Sequence, residues 1–264
     1  MALPHASTLF AICACTLPSL ASRKPSKRGS IGPHFEDCQR ACVPVARFSH
    51  LNPVTKRASS ASAPQLFPQA ESIEQLRTRA KRCKACDLWR NATQTVFGEG
   101  TEHPKILVVG EQPGNQEDLQ GRPFVGPAGK LLDSALEEAG IDREKTYITN
   151  AVKHFKWELR GKRRIHKKPS VSEIAACWPW LEAEIAALKP EVIVCLGATA
   201  AQALLGRDFR VTQQRGELMK SSLAPFITAT LHPSSILRAP DEETRRTEME
   251  RFIDDLKNLS LFTR

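Results

Sequence analysis

Apolar positions in this chain alternate between two periods from about residue 104 onward. Ile106-Leu107-Val108-Val109 is an unbroken apolar run closed by Gly110, as expected for a strand buried on both faces. Leu131, Leu132, Ala135 and Leu136 then recur at helical spacing, and Gly140 supplies a stop. Tyr147-Ile148-Thr149 predicts a second strand. Ser170, with Glu173 three residues on, is a capping box that opens a helix through about Leu188. Val192 to Leu196 predicts a third strand, followed by a helix over Thr199 to Leu205. Phe226 to Thr230 predicts a fourth strand that runs into His232-Pro233-Ser234-Ser235, and a last helix covers about Glu242 to Leu259. Strands alternating with helices predict an α/β fold, a three-layer α/β/α sandwich around a central, mainly parallel four-stranded sheet.

In such sheets ligands bind beyond the carboxyl ends of the strands. Here the first strand ends at Glu111, the second at Asn150 and the fourth at His232, so three polar groups from distant sequence should converge on one edge. The Gly/Pro-punctuated stretch from Glu111 to Pro127 reads as a long functional loop beside them.

Composition divides the chain. Residues 1–70 are rich in Ser, Pro, Ala and Arg, with poor periodicity, and are expected to form a disordered extension to a domain over 71–264. The early apolar stretch Leu9 to Cys15 faintly resembles a signal peptide, but no Lys or Arg precedes it. No segment approaches the roughly 18 uninterrupted apolar residues of a membrane span. A cytoplasmic, monomeric protein is expected, nucleoid-associated if bacterial.

The formal charge of +9 is unevenly placed. Residues 1–70 carry +6, and the sixteen residues from Lys153 to Lys168 carry +7, with eight Lys/Arg against one Glu. The remainder is slightly acidic. One concentrated cationic loop on a near-neutral body suits a phosphate backbone, because each neutralised phosphate releases counterions. Lys153, Lys162, Arg163, Arg164 and Lys167 are the expected phosphate contacts, and His166 sits among them. The same run could also be a solvated charged loop. Of eight cysteines, Cys13, Cys15, Cys38 and Cys42 fall in the extension; Cys83-x-x-Cys86, Cys177 and Cys195 fall in the domain. A close pair and two distant singles look more like a metal or cluster site than a disulfide scaffold.

Together these motifs resemble the uracil-DNA glycosylase superfamily. Gly110-Glu111-Gln112-Pro113-Gly114 resembles its first signature and His232-Pro233-Ser234-Ser235 its second. Gly121 to Gly129 and Thr149-Asn150-Ala151-Val152-Lys153 are similar to family 4, the iron–sulfur type. Lys162-Arg163-Arg164-Ile165-His166-Lys167 resembles the loop of the UdgX branch, whose members cross-link to uracil-containing DNA. The likeness runs from about Ile73 to the C-terminus with every element in order. It departs at Asn115, where an acid is expected in that branch, which would weaken activity; Asp118 remains.

The resemblance implies roles. A glycosylase takes its base from single-stranded DNA or flips it out of a duplex. Phe124 would stack on uracil, and Gln112 and Ser234 would join it in binding substrate. The Asn150 amide, a donor and an acceptor, would match uracil O4 and N3–H, a pattern that cytosine inverts. His232 would donate to O2 of the leaving base, and Glu111 would stabilise positive charge on the sugar. Neutral His166 would attack C1′ and remain attached. Cys83, Cys86, Cys177 and Cys195 would hold a [4Fe–4S] cluster, with zinc as the chemical rival. The expected partner is uracil-containing DNA. The competing readings are a glycosylase that turns over, with His166 only contacting phosphate, and a non-catalytic uracil-DNA binding module.

Overall fold

The computed structural model describes residues 72–262. The expectations about residues 1–70, including four of the cysteines, lie outside the described residues.

A five-stranded sheet forms the middle layer. Four parallel strands carry it: β2 (Ile106–Gly110), β3 (Thr146–Asn150), β6 (Val192–Leu196) and β7 (Phe226–Thr230), with β1 (Glu99–Gly100) added antiparallel to β3. The order is β1-β3-β2-β6-β7. Ile106 pairs with Thr146 and Val192, so β2 lies at the centre and all its residues are buried. This is why its sequence is a continuous apolar run rather than an alternation. The four expected strands are present, and the edge strand is an addition; two residues with no apolar run give periodicity nothing to register.

Alternate residues of the strands build two cores. Leu107, Val109, Tyr147, Ile193, Ile227 and Ala229 face α1 (Ile73–Ala80), α4 (Val171–Leu188) and α5 (Gly197–Leu205). Ile106, Val108, Ile148, Val192 and Val194 face α3 (Pro127–Glu138), α7 (Pro233–Leu237) and α8 (Glu242–Lys257). The Ser170 capping box is formed, with Ser170 Oγ accepting the Glu173 N–H at 3.3 Å and Glu173 accepting the Ser170 N–H at 2.6 Å. A second box, Ser72 with Gln75, starts α1. Short helices α2 (Asn115–Gln120) and α6 (Val211–Gln214) complete the set. Among the described residues no helix is long and apolar enough to cross a membrane.

The basic loop is not a loop. It folds into a hairpin of β4 (Trp157–Arg160) and β5 (Arg163–His166), turning at Gly161-Lys162 with Gly161 at φ 59°. A two-residue turn with a positive φ at its first central position matches the right-handed twist of paired strands. Trp157 stands opposite His166 and Leu159 opposite Arg164, so these four share one face.

Candidate active site

The carboxyl ends of the parallel strands bring the expected groups together. Backbone bonds lock the start: Ala151 N donates to Gly110 O at 2.9 Å and Val152 N to Glu111 O at 3.0 Å. Gly110 has no room for a side chain, because a Cβ there would run into Asn150 Oδ1 and come within 2.6 Å of Phe124 Cζ. Phe124 has φ 56°, uncommon for a non-glycine residue. A Cβ on Gly129 would collide with the Phe124 carbonyl, so that glycine permits the turn. The Phe124 ring ends up stacked with His232, their centroids 5.9 Å apart.

Asn150 is buried, and its Oδ1 has no hydrogen-bond partner. A buried carbonyl oxygen without a donor costs about 1–3 kcal/mol. An N–H supplied by a ligand at this spot would remove that cost.

His232 is prepared as a neutral donor. Its Nδ1 accepts the Ser234 N–H at 3.1 Å and lies 2.8 Å from Ser234 Oγ. The neutral ring's proton therefore belongs on Nε2. Burial first, then the charges of Arg238 and His166, push its pKa down from 6.5 to about 4. Ser234 thus orients His232 rather than offering its own hydroxyl freely. Because the unfolded chain binds a proton near 6.5 that the folded His232 refuses until about 4, stability is full above about pH 6.5 and declines below it. Any reaction requiring neutral His232 should therefore hold its rate from about pH 8 to about pH 5 and fall on nearing pH 4; single-turnover rates across this range, with circular dichroism to monitor folding, check it.

His166 ends β5 with Nε2 3.3 Å from Glu111 Oε1. Burial lowers its pKa, Glu111 opposes that, and Arg238 reinforces it. The other Glu111 oxygen, Oε2, accepts the hydroxyl of Thr199.

Two anchors hold the hairpin beneath His166. The Gln112 amide accepts from Lys156 N at 3.1 Å and donates to Lys156 O at 3.2 Å and Lys167 O at 2.9 Å, clasping both strands at their open end. Its side-chain amide is engaged by this clasp. Arg164 points inward, donating to Asp118 Oδ2 at 2.6 Å and to Asn115 Oδ1 at 2.8 Å. Asp118 is fully buried and also accepts Thr93 N and Oγ1. Asn115 therefore supplies an acceptor that Arg164 uses.

The expected phosphate contacts divide. Lys162 and Arg163 lie exposed at the hairpin turn, and Lys167 is exposed but paired with Glu158 at 3.0 Å. Arg164, committed to Asp118, is corrected to an anchor. Lys153 is corrected too: its side chain is 1 % exposed and its ammonium meets Glu184 at 2.5 Å, Thr149 Oγ1 at 2.6 Å and Asn150 O at 2.8 Å. A group sealed by three acceptors cannot reach a phosphate.

The cysteines do not form one set of four. Cys83 and Cys86, in the turns after α1, are half-buried, and Cys177 is buried on α4. Trp180 Nε1 donates to Cys83 Sγ at 3.1 Å and Lys153 N to Cys177 Sγ at 3.3 Å, donors suited to thiolates. Burial drives the Cys177 thiol up to about 12; Lys153 opposes this, and Cys83 and Cys86 add to it. Cys195 faces the same layer from β6, between Val109 and Ala229, but burial alone raises its thiol and no other thiol acts on it. Among the described residues no three His, Cys, Asp or Glu side chains stand close enough to hold a metal ion. Cys195, on which no other thiol acts, stands apart from Cys83, Cys86 and Cys177.

Thr199 and Arg238 were not singled out by sequence. A threonine in the first turn of a helix and an arginine after a short apolar run carry no spacing signal; only their positions across the sheet edge give them meaning.

Known proteins are similar to this chain in sequence. The Uracil DNA glycosylase superfamily aligns with residues 97–257. The type-4 uracil-DNA glycosylase of Thermotoga maritima is 40% identical over 186 residues, covering 70% of this chain and 93% of that protein. The type-4 enzyme of Archaeoglobus fulgidus is 36% identical over 177 residues, covering 64% and 85%. A type-5 uracil-DNA glycosylase of Thermus thermophilus is 30% identical over 165 residues, covering 51% and 71%. With one domain spanning most of the described residues and such relatives matched along most of their length, this chain belongs to the uracil-DNA glycosylase superfamily.

Proposed function

We propose that this protein excises uracil from DNA and is captured on the product through His166. The observation that carries excision is the unpaired Asn150 Oδ1 beside Phe124, whose ring stacks with neutral His232. Uracil stacked on Phe124 presents N3–H to that oxygen and O4 to the Asn150 NH₂, while His232 Nε2–H donates to O2. As C1′–N1 breaks, the electron pair leaves with uracil. The His232 and Asn150 donors stabilise that anion, and Glu111 stabilises the positive sugar.

Capture is supported by the 3.3 Å contact between His166 and Glu111. A lone pair of the neutral imidazole forms the new N–C1′ bond, leaving an imidazolium and a uracil anion. The imidazolium's remaining N–H is held by Glu111, and its loss to the uracil anion leaves two neutral products. The depressed His166 pKa keeps the lone pair available at neutral pH. If water reached C1′ first, the product would be an abasic site and the protein would turn over.

The test is a single-stranded uracil oligonucleotide incubated with protein and run on a denaturing gel beside His166→Ala, with free uracil assayed in parallel. Uracil release with a denaturation-resistant band, lost in His166→Ala while release continues, is expected. Release with no band in the parent would leave a turning-over glycosylase. A band or release absent from both would leave a binding module.

We further propose that Cys83, Cys86 and Cys177, whose thiols act on one another, would turn together to hold an iron–sulfur cluster, although as they stand they form no metal-binding group. Its role is to fasten the Cys83 turn to α4, and no step of excision runs through it. Iron per purified chain should fall to near zero in Cys177→Ala and stay at the parental value in Cys195→Ala. Equal losses in both would restore Cys195 as a ligand.

A further inference from the structure

We infer that Thr199 is a positioning residue for Glu111, setting the carboxylate so that one oxygen is committed to a hydroxyl and the other to His166. This rests on the proposed role of Glu111 at the reacting sugar.

Thr199 lies in the first turn of α5, 88 residues from Glu111 in sequence, and is 5% exposed. A carboxylate oxygen only accepts, so the Thr199 hydroxyl is the donor to Glu111 Oε2. Threonine in a helix commonly turns its hydroxyl back on its own backbone. Here it reaches across the sheet edge instead. The contact leaves Oε1 facing His166 Nε2 at 3.3 Å. Without it, the Glu111 side chain can rotate about its terminal bond, a broad torsion with little preference of its own.

The placement of α5 makes this contact possible. Gly197, at φ 84°, opens α5 at the end of β6, and a Cβ there would stand 2.8 Å from His232 Cβ. The first turn of α5 therefore abuts the His232 loop on one side and reaches Glu111 on the other. Thr199, Glu111 and His166 form a relay in the sense of a base oriented by a third group, with each partner held by one contact.

Thr199→Val keeps the β-branched shape and removes only the donor. It should slow single-turnover adduct formation about tenfold to a hundredfold, the loss typical when a partner orienting a functional residue is removed. Affinity for an oligonucleotide carrying 2′-fluoro-2′-deoxyuridine, whose glycosidic bond resists cleavage, should stay unchanged. Thr199→Ser should return the rate to within about threefold of the parent, because the hydroxyl is restored. In a Glu111→Gln background, adding Thr199→Val should cost nothing more, since residues acting through one another are not additive. Parental rates in Thr199→Val, a Thr199→Ser variant as slow as the valine, or full additive losses with Glu111→Gln would each overturn the inference. If the parent releases uracil without an adduct, the His166 reading fails by itself, and the same three comparisons are scored on release rate.

Discussion

Asn150→Asp should lower uracil excision by about four orders of magnitude while leaving the fold intact. The native amide offers an acceptor to uracil N3–H and a donor to O4. A carboxylate keeps the first and loses the second. It also turns a second oxygen toward O4, setting lone pairs against lone pairs beside a buried residue. The penalty grows in the transition state, where the base gains negative charge, so the rate should suffer more than binding. The backbone contact that holds this residue, Lys153 Nζ on Asn150 O, is untouched by the change. Single-turnover release of uracil from a defined oligonucleotide measures the effect. A variant within about tenfold of the parent would mean that the unpaired Oδ1 has some other purpose.

The second large effect concerns the fold behind that amide. Lys153→Met should destabilise the protein by about 3–5 kcal/mol, because it leaves a buried carboxylate without its cation. Glu184 is 0% exposed and accepts from Tyr147 Oη at 3.0 Å, from Thr149 Oγ1 at 3.0 Å and 3.1 Å, and from Gly98 N at 3.1 Å, in addition to Lys153. Those neutral donors remain but carry no full charge to balance it. Against a typical net stability of about 5–15 kcal/mol, the loss is a large fraction. Lys153→Met combined with Glu184→Gln should regain much of it, since removing both charges removes the uncompensated one. Urea unfolding of the two variants and the parent distinguishes these outcomes. A single variant within about 1 kcal/mol of the parent would contradict the account of this network.

Lys153 also illustrates where reading from sequence ends. In the chain it is the first cation of a basic run, and charge density gives it a phosphate-binding meaning. Its partner Glu184 lies 31 residues away, in the interior of a helix whose own signal is its capping box. Only the packing of that helix on the sheet makes the two meet. The contacts of the Gln112 and Arg164 side chains were hidden in the same way, because they are set by backbone and side-chain groups on distant segments. By contrast, the four parallel strands and the groups at their carboxyl ends, Glu111, Asn150 and His232, were legible, since burial on both faces writes itself into continuous apolar runs. The hairpin was half legible. Gly161 marks a turn, but Arg160, Arg163 and Arg164 around it interrupt the period-two pattern that apolar residues would have displayed. Cys195 sits in an apolar strand run, where spacing alone does not distinguish a cluster ligand from a core cysteine.

The measurement that bears most directly on the central claim is tandem mass spectrometry of the digested protein after reaction with a uracil oligonucleotide and nuclease trimming. The account predicts a deoxyribose-phosphate remnant on the peptide containing Ile165 and His166, with fragment ions locating the added mass on the His166 ring. The same mass on a lysine such as Lys162 or Lys167, or an unmodified peptide after complete uracil release, would contradict capture by His166.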